Sequence, residues 1–244
     1  MRKPMLVLAS LALSALSLRP GDLTITSRVT GKGPGAKGGT QVQYVSPTRM
    51  RLDQTGTQTD TLIDFGKGVM YVINHDKKTI TRLTFQDLQA SMEALNNRMG
   101  AFSDMMSKML LGDASKVSVQ KEGTDTVLGR PCQKVRITIG KIVEDLSIDP
   151  TLQFPIRDYA KSMSMMSRVP GPMGTIFKRL YEEVGKLHGV ALRTHVKGVM
   201  GTDLTTEATA ISTAAIPASA WALPSGYQVV EGGRELSEST HPRH

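Results

Sequence analysis

Short runs of alternating apolar and polar residues fill the first third of the chain. In the first run, Leu23, Ile25 and Val29 are apolar, and polar residues separate them. Gly, Pro, Asn and Asp divide one run from the next, an arrangement typical of an antiparallel meander of short strands. The other strands predicted in this part of the chain are Gln41–Val45, Arg49–Leu52, Thr59–Phe65, Val69–Ile73 and Thr79–Leu83.

The period of the apolar residues changes at Thr84. From this point they are spaced alternately by three and four positions, which places them on one face of a helix of about 25 residues. Thr84 is the predicted N-cap, and Asp87 lies in the first turn, where a negative charge favours the helix dipole. Gly112 is a natural end for this helix. The apolar stripe consists of Phe85, Leu88, Met92, Leu95, Met99, Phe102, Met106 and Met109.

Strand patterns return after the long helix. Two shorter helices, Ile156–Met166 and Met173–Val184, are predicted between them. Leu223–Tyr227 closes the predicted fold, and the polar segment 232–244 is predicted to be a disordered tail. The later predicted strands are Val117–Val119, Thr126–Leu128, Cys132–Ile139, Val143–Ile148, Leu187–Val199 and Thr202–Ile211.

The N-terminus has the three parts of a secretory signal peptide. Arg2 and Lys3 are positively charged, Met5–Leu18 contains only apolar residues and serines, and small residues precede a predicted cleavage after Ser17. We therefore expect residues 1–17 to be removed and the protein to be periplasmic or secreted. A membrane anchor or a buried helix is the alternative, although the run is shorter than the roughly 20 residues that span a bilayer. No cysteine lies near the cleavage region, so a lipid-modified N-terminus is not expected.

The charge of the chain indicates which partners it favours, and its cysteine content indicates whether disulfides stabilise it. The formal net charge is +8, which favours anionic partners such as lipid head groups, cell-wall polymers or nucleic acid. Because the charges are spread along the chain, a solvated surface with a slight basic excess is the alternative. Cys132 is the only cysteine, so the fold has no internal disulfide. We expect a buried free thiol, with a reactive or intermolecular thiol as the alternative.

Two strings resemble motifs of cofactor binding and nucleophilic catalysis. Residues 33–38 match the glycine pattern of a dinucleotide loop, but that chemistry needs a helix directly after the loop, and residues 40–45 alternate like a strand. Ser118 and Lys121 have Ser-x-x-Lys spacing, but in a strand this spacing places them on opposite faces. No Gly-x-Ser-x-Gly elbow is present. No cofactor and no catalytic residue is therefore predicted.

Metal, acid–base and nucleic-acid sites are not predicted either. The five histidines lack the spacing to one another, and to Asp or Glu, that metal sites use. Glu182 and Glu183 are adjacent on a predicted helix, so their carboxylates diverge. No stretch combines basic with aromatic residues in the way that stacks bases. An enzyme is the least favoured class of function.

Methionine is the one residue type that points to a binding role. Its flexible, polarizable side chain is frequent on surfaces that accept varied apolar partners. We expect the predicted helices to form a lid over a sheet-lined groove that opens for an acyl chain. A helix packed permanently on its own sheet, with methionine filling gaps, is the alternative. The predicted lid-lining residues are Met92, Met99, Phe102 and Met106.

Eight short segments, taken in their order along the chain, resemble a known group of proteins. They are Gly21–Ile25, Arg49–Asp53, Leu62–Phe65, Val69–Ile73, Asp76–Thr79, Leu128–Arg136, Leu146–Pro150 and Leu223–Tyr227. Their order resembles that of bacterial exported proteins of an uncharacterised-domain family. More distantly, it is similar to the periplasmic lipoprotein carriers of the LolA/LolB type. Many such proteins carry Trp in the strand near residues 145–147, where this chain has Ser147, so no role is transferred to this position.

The resemblance implies an α+β, mainly β fold: a strongly curved antiparallel sheet, or incomplete β-barrel, with helices covering its concave face. Residues 18–231 would form one half-barrel domain, with helical insertions at about 85–111 and 155–185. The expected function is to bind or carry a lipid or other apolar ligand, with transient contact to an anionic membrane surface. A non-catalytic structural or interaction module with a solid core is the alternative, because a shared fold does not fix a function.

Overall fold

A single sheet dominates the part of the chain that the structure describes. In the computed structural model, the described residues are 21–33, 38–91, 93–94, 117–153, 178, 182–183, 186–198 and 201–232. Their strands are β1 (Leu23–Lys32), β2 (Gly39–Val45), β3 (Arg49–Gln54), β4 (Thr59–Asp64), β5 (Val69–Asn74), β6 (Thr79–Thr84), β7 (Val117–Val127), β8 (Arg130–Ile139), β9 (Ile142–Asp149), β10 (Val190–Lys197), β11 (Asp203–Ser212) and β12 (Gln228–Glu231). A short 3₁₀ helix, Ala218–Trp221, precedes β12.

Two antiparallel meanders join side by side to build this sheet. The strand order is β12-β6-β5-β4-β3-β2-β1-β11-β10-β9-β8-β7. Strand β1 pairs with β2 on one side and with β11 on the other, so it connects the first meander to the second. Short local connections within each meander explain why most strands lie beside their sequence neighbours.

The strand pattern of the sequence is largely confirmed, with three differences. The segments 117–119 and 126–127 belong to one strand, β7, because Gly123 sits at a bulge with a φ of 111° and does not end the strand. The strand predicted from Leu187 begins at Val190, after Gly189. The hairpin from β7 to β8 turns at Leu128 and Gly129, both of which have positive φ angles. Strand β12 was not predicted; it pairs in parallel with β6.

A helix begins directly after β6, as the change of period predicts. Residues 85–91, 93 and 94 are helical. The Asp87 backbone N–H donates to the Thr84 hydroxyl at 3.0 Å, and the Thr84 N–H donates to the Asp87 carboxylate at 3.1 Å. This reciprocal pair is a capping box, which satisfies backbone donors at the first turn. The predicted N-cap is therefore confirmed.

The sheet is curved and stays open. One hydrophobic cluster contains Val45 of β2, Leu192 of β10 and Cys132 of β8, with Met50 of β3 packed against it. Other residues of β1, β10 and β11 connect these strands within the cluster. The expected mainly β fold with a curved, open sheet is confirmed. The helices expected over its concave face remain a prediction, because most of the expected insertions lie outside the described residues.

The two faces of the sheet follow from the strand register. We call the side that carries Ile25, Leu146 and Leu192 the trough face, and the opposite side the outer face. Part of the C-terminal segment lies on the outer face of the first meander, where the Arg51 guanidinium donates to the carbonyls of Ala220 and Ala222 at 3.2 and 2.9 Å. The trough face, where the two meanders join, contains the candidate site.

Candidate functional site

A cavity of about 500 Å³ lies on the trough face. Its lining comes from six strands and from the segment before β10. In a flat sheet, the outermost of these strands, β3 and β9, would lie about 24 Å apart, so the curvature of the sheet creates the cavity. Its lining residues are Ile25, Ser27, Gln41, Gln43, Met50, Glu144, Leu146, Ile148, Leu187, Gly189, Val190, Ala191, Leu192, Thr194 and Thr206.

The cavity separates two hydrophobic clusters. Ile25 and Leu192 on its wall belong to a cluster that extends to Leu23, Val127 and Cys132. A second cluster, around Val135, Ile137 and Ile148, contributes Ile148, Leu146 and Leu187 to the wall. A packed interior would join two such clusters, since protein cores are filled as densely as organic crystals. Here the wall residues of both clusters face the same space.

The polar groups of the cavity are few and mostly neutral. They are the hydroxyls of Ser27, Thr194 and Thr206 and the amides of Gln41 and Gln43. The Gln43 amide donates to the Met50 sulfur at 3.3 Å, so this pair is already engaged. Glu144 is the one titratable residue among the described lining residues. Burial raises the pKa of its carboxyl, because a low-dielectric surrounding disfavours the charged form.

On the outer face of the same strands, charged groups are paired. The Arg193 guanidinium lies 2.6 Å from the Asp125 carboxylate and 2.8 Å from that of Glu207, and the Ser147 hydroxyl donates to Asp125. A second row joins Arg136 to Asp145 at 2.6 Å. Hydrogen bonds from the Ser147 hydroxyl lower the pKa of Asp125, and those from the Arg136 guanidinium lower the pKa of Asp145. Such rows are typical of a solvated sheet face.

A third polar group, around His75, was missed by sequence reasoning. Its Nε2 lies 2.8 Å from the Asp60 carboxylate, and its Nδ1 lies 2.9 Å from the Tyr227 hydroxyl. Arg51 also reaches Asp60, at 3.3 Å. The hairpin register of β4 and β5 places Asp60 and His75 on one face, which the sequence could have indicated; the contact with Tyr227, 152 positions away, could not be anticipated. This network anchors the C-terminal segment to the outer face.

Several sequence predictions can now be placed. The predicted lid residues Met92, Met99, Phe102 and Met106 all lie outside the described residues. A strand, β2, follows the glycine-rich segment as predicted, and it begins at Gly39. Cys132 is buried, with 2% of its surface exposed, and burial raises the pKa of its thiol. In the described ranges, no three His, Cys, Asp or Glu side chains are grouped in a way that could hold a metal ion.

The chain is a mainly β protein whose curved, open sheet has a cavity on one face. Residues 35–227 match the sequence profile of the family described as a domain of unknown function, DUF4412. This match covers well over half of the chain, so the chain belongs to the DUF4412 family. The expected membership of an uncharacterised-domain family is therefore confirmed. A search of curated proteins finds no match.

Solved structures with distant similarity include three of different kinds. The MucA/MucB complex of Pseudomonas aeruginosa has 14% identity and a TM-score of 0.44 over 87% of this chain and 59% of that one. PNGF-II has 11% identity and a TM-score of 0.43, covering 88% of this chain and 32% of that one. The LolA superfamily protein NE2245 of Nitrosomonas europaea has 8% identity and a TM-score of 0.31, covering 86% and 94%.

These similarities describe general shape and carry no argument about a ligand. Each of these TM-scores is below 0.5. The chain spans about three fifths of the length of a solved MucB chain.

One further feature concerns membranes. No helix in the described part of the chain has the length and apolar character needed to cross a bilayer.

Proposed function

We propose that this protein is an exported envelope protein that binds a lipid or other apolar ligand in the trough-face cavity, without catalysing a reaction. One observation carries the proposal: the cavity of about 500 Å³ between two separate apolar clusters. Ligand sites commonly have volumes of about 300–1,000 Å³ and walls that are mainly apolar, with a few polar groups. Size and lining both fit this description.

Filling the cavity with an apolar chain is favourable for a simple reason. Leu146, Ile148 and Leu192 present carbon surface to the cavity, and removing apolar surface from water contributes roughly 25 cal/mol per Å². The hydroxyls and amides at the wall can orient a polar end of the ligand without forming a charged site. A lipid-like molecule, long and mostly apolar, satisfies both parts of the wall.

Binding is favoured over catalysis by the composition of the wall. Acid–base and nucleophilic mechanisms need a nucleophile with a base, or two titratable groups that converge on the substrate. Of the described lining residues, Glu144 alone titrates. His75, whose two ring nitrogens contact Asp60 and Tyr227, belongs to the outer-face network.

Export is the part of the proposal that rests on sequence alone. Residues 1–17 have the charged, apolar and small-residue order of a signal peptide. In an aqueous envelope compartment, an apolar ligand is poorly soluble and would require a carrier. Expression of the full chain with analysis of the N-terminus of the envelope form tests this part; an uncleaved chain retained in the cytoplasm would contradict it.

The cavity can be tested with a matched pair of substitutions in β11. Thr206 lines the cavity, whereas its neighbour Thr205 pairs with His195 on the outer face. Thr206→Trp should fill the cavity and abolish saturable binding of a neutral fluorescent probe, N-phenyl-1-naphthylamine. Thr205→Trp adds the same indole to the opposite face and should leave probe affinity within about twofold of the parent, a difference of less than 0.5 kcal/mol.

The lipid content of the protein tests the same proposal independently. The envelope form should contain co-purifying lipid detectable by mass spectrometry, and Thr206→Trp should contain less of it than Thr205→Trp. Equal probe binding by the two variants would overturn the cavity as the site. Absence of probe binding and of lipid in the parent protein would favour the alternative, a structural or interaction module without a ligand.

A further inference from the structure

Glu144 occupies an unusual place for a carboxyl group. It lies on the trough face of β9, in phase with Leu146 and Ile148, and lines the cavity. Its register partners are Ile137 on β8 and Val196 on β10, both apolar. The Glu144 side chain is half-buried. Its carboxylate has lost part of its contact with water without gaining a counter-charge, and such burial is costly unless the charge is paired.

No described residue hydrogen-bonds or forms an ion pair with the Glu144 carboxyl. Burial is the one cause that raises its pKa. The neighbouring trough-face positions carry Val135 and Ile139 on β8 and Thr194 on β10, so neither adjacent strand presents a titratable group to it. The carboxyl therefore faces the cavity as a single uncompensated acidic group.

We propose that the cavity selects a cationic amphiphile, whose primary ammonium group pairs with the Glu144 carboxylate while its alkyl chain lies along the apolar wall. This inference rests on the proposed function and specifies the ligand class for the same site. Charge complementarity carries it, because an ammonium supplies both the missing charge and three hydrogen-bond donors. An anionic head group at this position would instead be repelled.

The charge inside the cavity is opposite in sign to the net charge of the molecule. The net charge of +8 led to the expectation of anionic head groups at the surface. Within the cavity, Glu144 reverses that preference, since close charges act far more strongly in a low-dielectric site than across a solvated surface.

Competition among three ligands with the same chain length tests the preference. Dodecylamine, dodecanol and dodecanoate would each displace N-phenyl-1-naphthylamine from the full mature protein at pH 7, at concentrations below their aggregation. Dodecylamine should bind about tenfold more tightly than dodecanol, corresponding to about 1.4 kcal/mol for a partly buried ion pair. Dodecanoate should be the weakest of the three.

Two neighbouring substitutions serve as test and control. Glu144→Gln should reduce the ratio of amine to alcohol affinity to about one, because the amide keeps the shape and loses the charge. Asp145→Asn removes the same charge from the outer face of the same strand and should keep the tenfold ratio. In the parent protein, the amine advantage should fall as pH is lowered and Glu144 gains a proton, while dodecanol affinity stays constant.

The outcomes distinguish this inference from the proposed function. Equal affinity of amine and alcohol in the parent protein would overturn the ammonium inference while the apolar cavity remains supported. Tightest binding of dodecanoate, increasing at low pH, would also overturn it, because Glu144 would then act as a neutral hydrogen-bond donor. Failure of the probe and of all three ligands to bind would overturn the proposed function itself.

Discussion

Glu144 and Asp145 are neighbours in β9, yet the two faces of the sheet treat their carboxyl groups in opposite ways. On the trough face, burial raises the pKa of Glu144, and no described residue pairs with it. On the outer face, hydrogen bonds from Arg136 lower the pKa of Asp145. One step along a strand reverses the side-chain direction and, with it, the electrostatic surroundings.

The difference extends beyond these two residues. Outer-face charges form rows in which each carboxylate has a cation or hydroxyl beside it, as at Asp125, Ser147 and Arg193. The trough wall combines apolar side chains with neutral hydroxyls and amides, and it contains one acid that is not compensated by the described residues. A face arranged only for stability would pair or remove that acid. The unpaired acid is the observation behind the proposed preference for an ammonium group.

The largest expected effect is on stability and contrasts two consecutive residues of β10. Leu192, with 2% of its surface exposed, belongs to the buried cluster, so Leu192→Ala should reduce the free energy of unfolding by about 2–5 kcal/mol. Arg193 lies on the outer face with its side chain 32% exposed, and Arg193→Ala should cost below about 1 kcal/mol. Urea unfolding followed by circular dichroism measures both. If both variants lost similar amounts of unfolding free energy, the proposed difference between the buried and the exposed face would be wrong.

A smaller effect is expected from the charges of Glu144 and Asp145, with opposite signs. The folded-state pKa of Glu144 is raised, so its ionisation costs stability above that pKa, and Glu144→Gln should stabilise the ligand-free protein at pH 7. The folded-state pKa of Asp145 is lowered, so its ionisation contributes stability, and Asp145→Asn should lower the unfolding midpoint by at most about 4 °C. Differential scanning calorimetry of both variants measures these shifts.

The stabilities of the Glu144 and Asp145 variants should also depend on pH in different ways. The cost from Glu144 should disappear as pH falls through its raised folded-state pKa towards its unfolded value of about 4.3. The contribution from Asp145 should persist to lower pH and decline from its unfolded value of about 3.9 towards its lowered folded-state pKa. A Glu144→Gln variant that is destabilised at pH 7 and unchanged at about pH 4 would contradict the assignment of an unpaired acid.

The smallest expected effect concerns the ion pair between Asp125 and Arg193. Both side chains are partly exposed, at 24% and 32%, so a double-mutant cycle with alanine should give a coupling energy of about 0.2–1 kcal/mol. Added salt should reduce this coupling, since exposed charges are screened. A coupling that is large and insensitive to salt would mean that the outer face is buried against another surface.

The alternation of residues predicted most of the sheet, because one face of each strand is apolar and a period of two is a local signal. It also placed Glu144 in phase with Leu146 and Ile148, so this acid could have been singled out from the sequence. Strand β12 could not, since Gln228–Glu231 is short, mostly exposed, and pairs with β6 from a distant part of the chain.

The cavity itself could not be predicted. Its volume depends on how much the sheet curves between β3 and β9. This curvature accumulates over six strands, and the residue pattern of a single strand does not predict it. The predicted lid lining at Met92, Met99, Phe102 and Met106 falls outside the described residues and remains a prediction.

The position of a bound ligand tests the central claim most directly. A neutral alkyl ligand carrying a diazirine, photolysed in complex with the mature protein, would attach covalently to the residues it touches, which peptide mass spectrometry identifies. We predict labels on trough-face residues of β9 and β10, such as Leu146, Thr194 and Leu192, that excess dodecanol suppresses. Labels confined to the outer face, or labels that dodecanol does not suppress, would contradict a ligand-binding cavity in the trough.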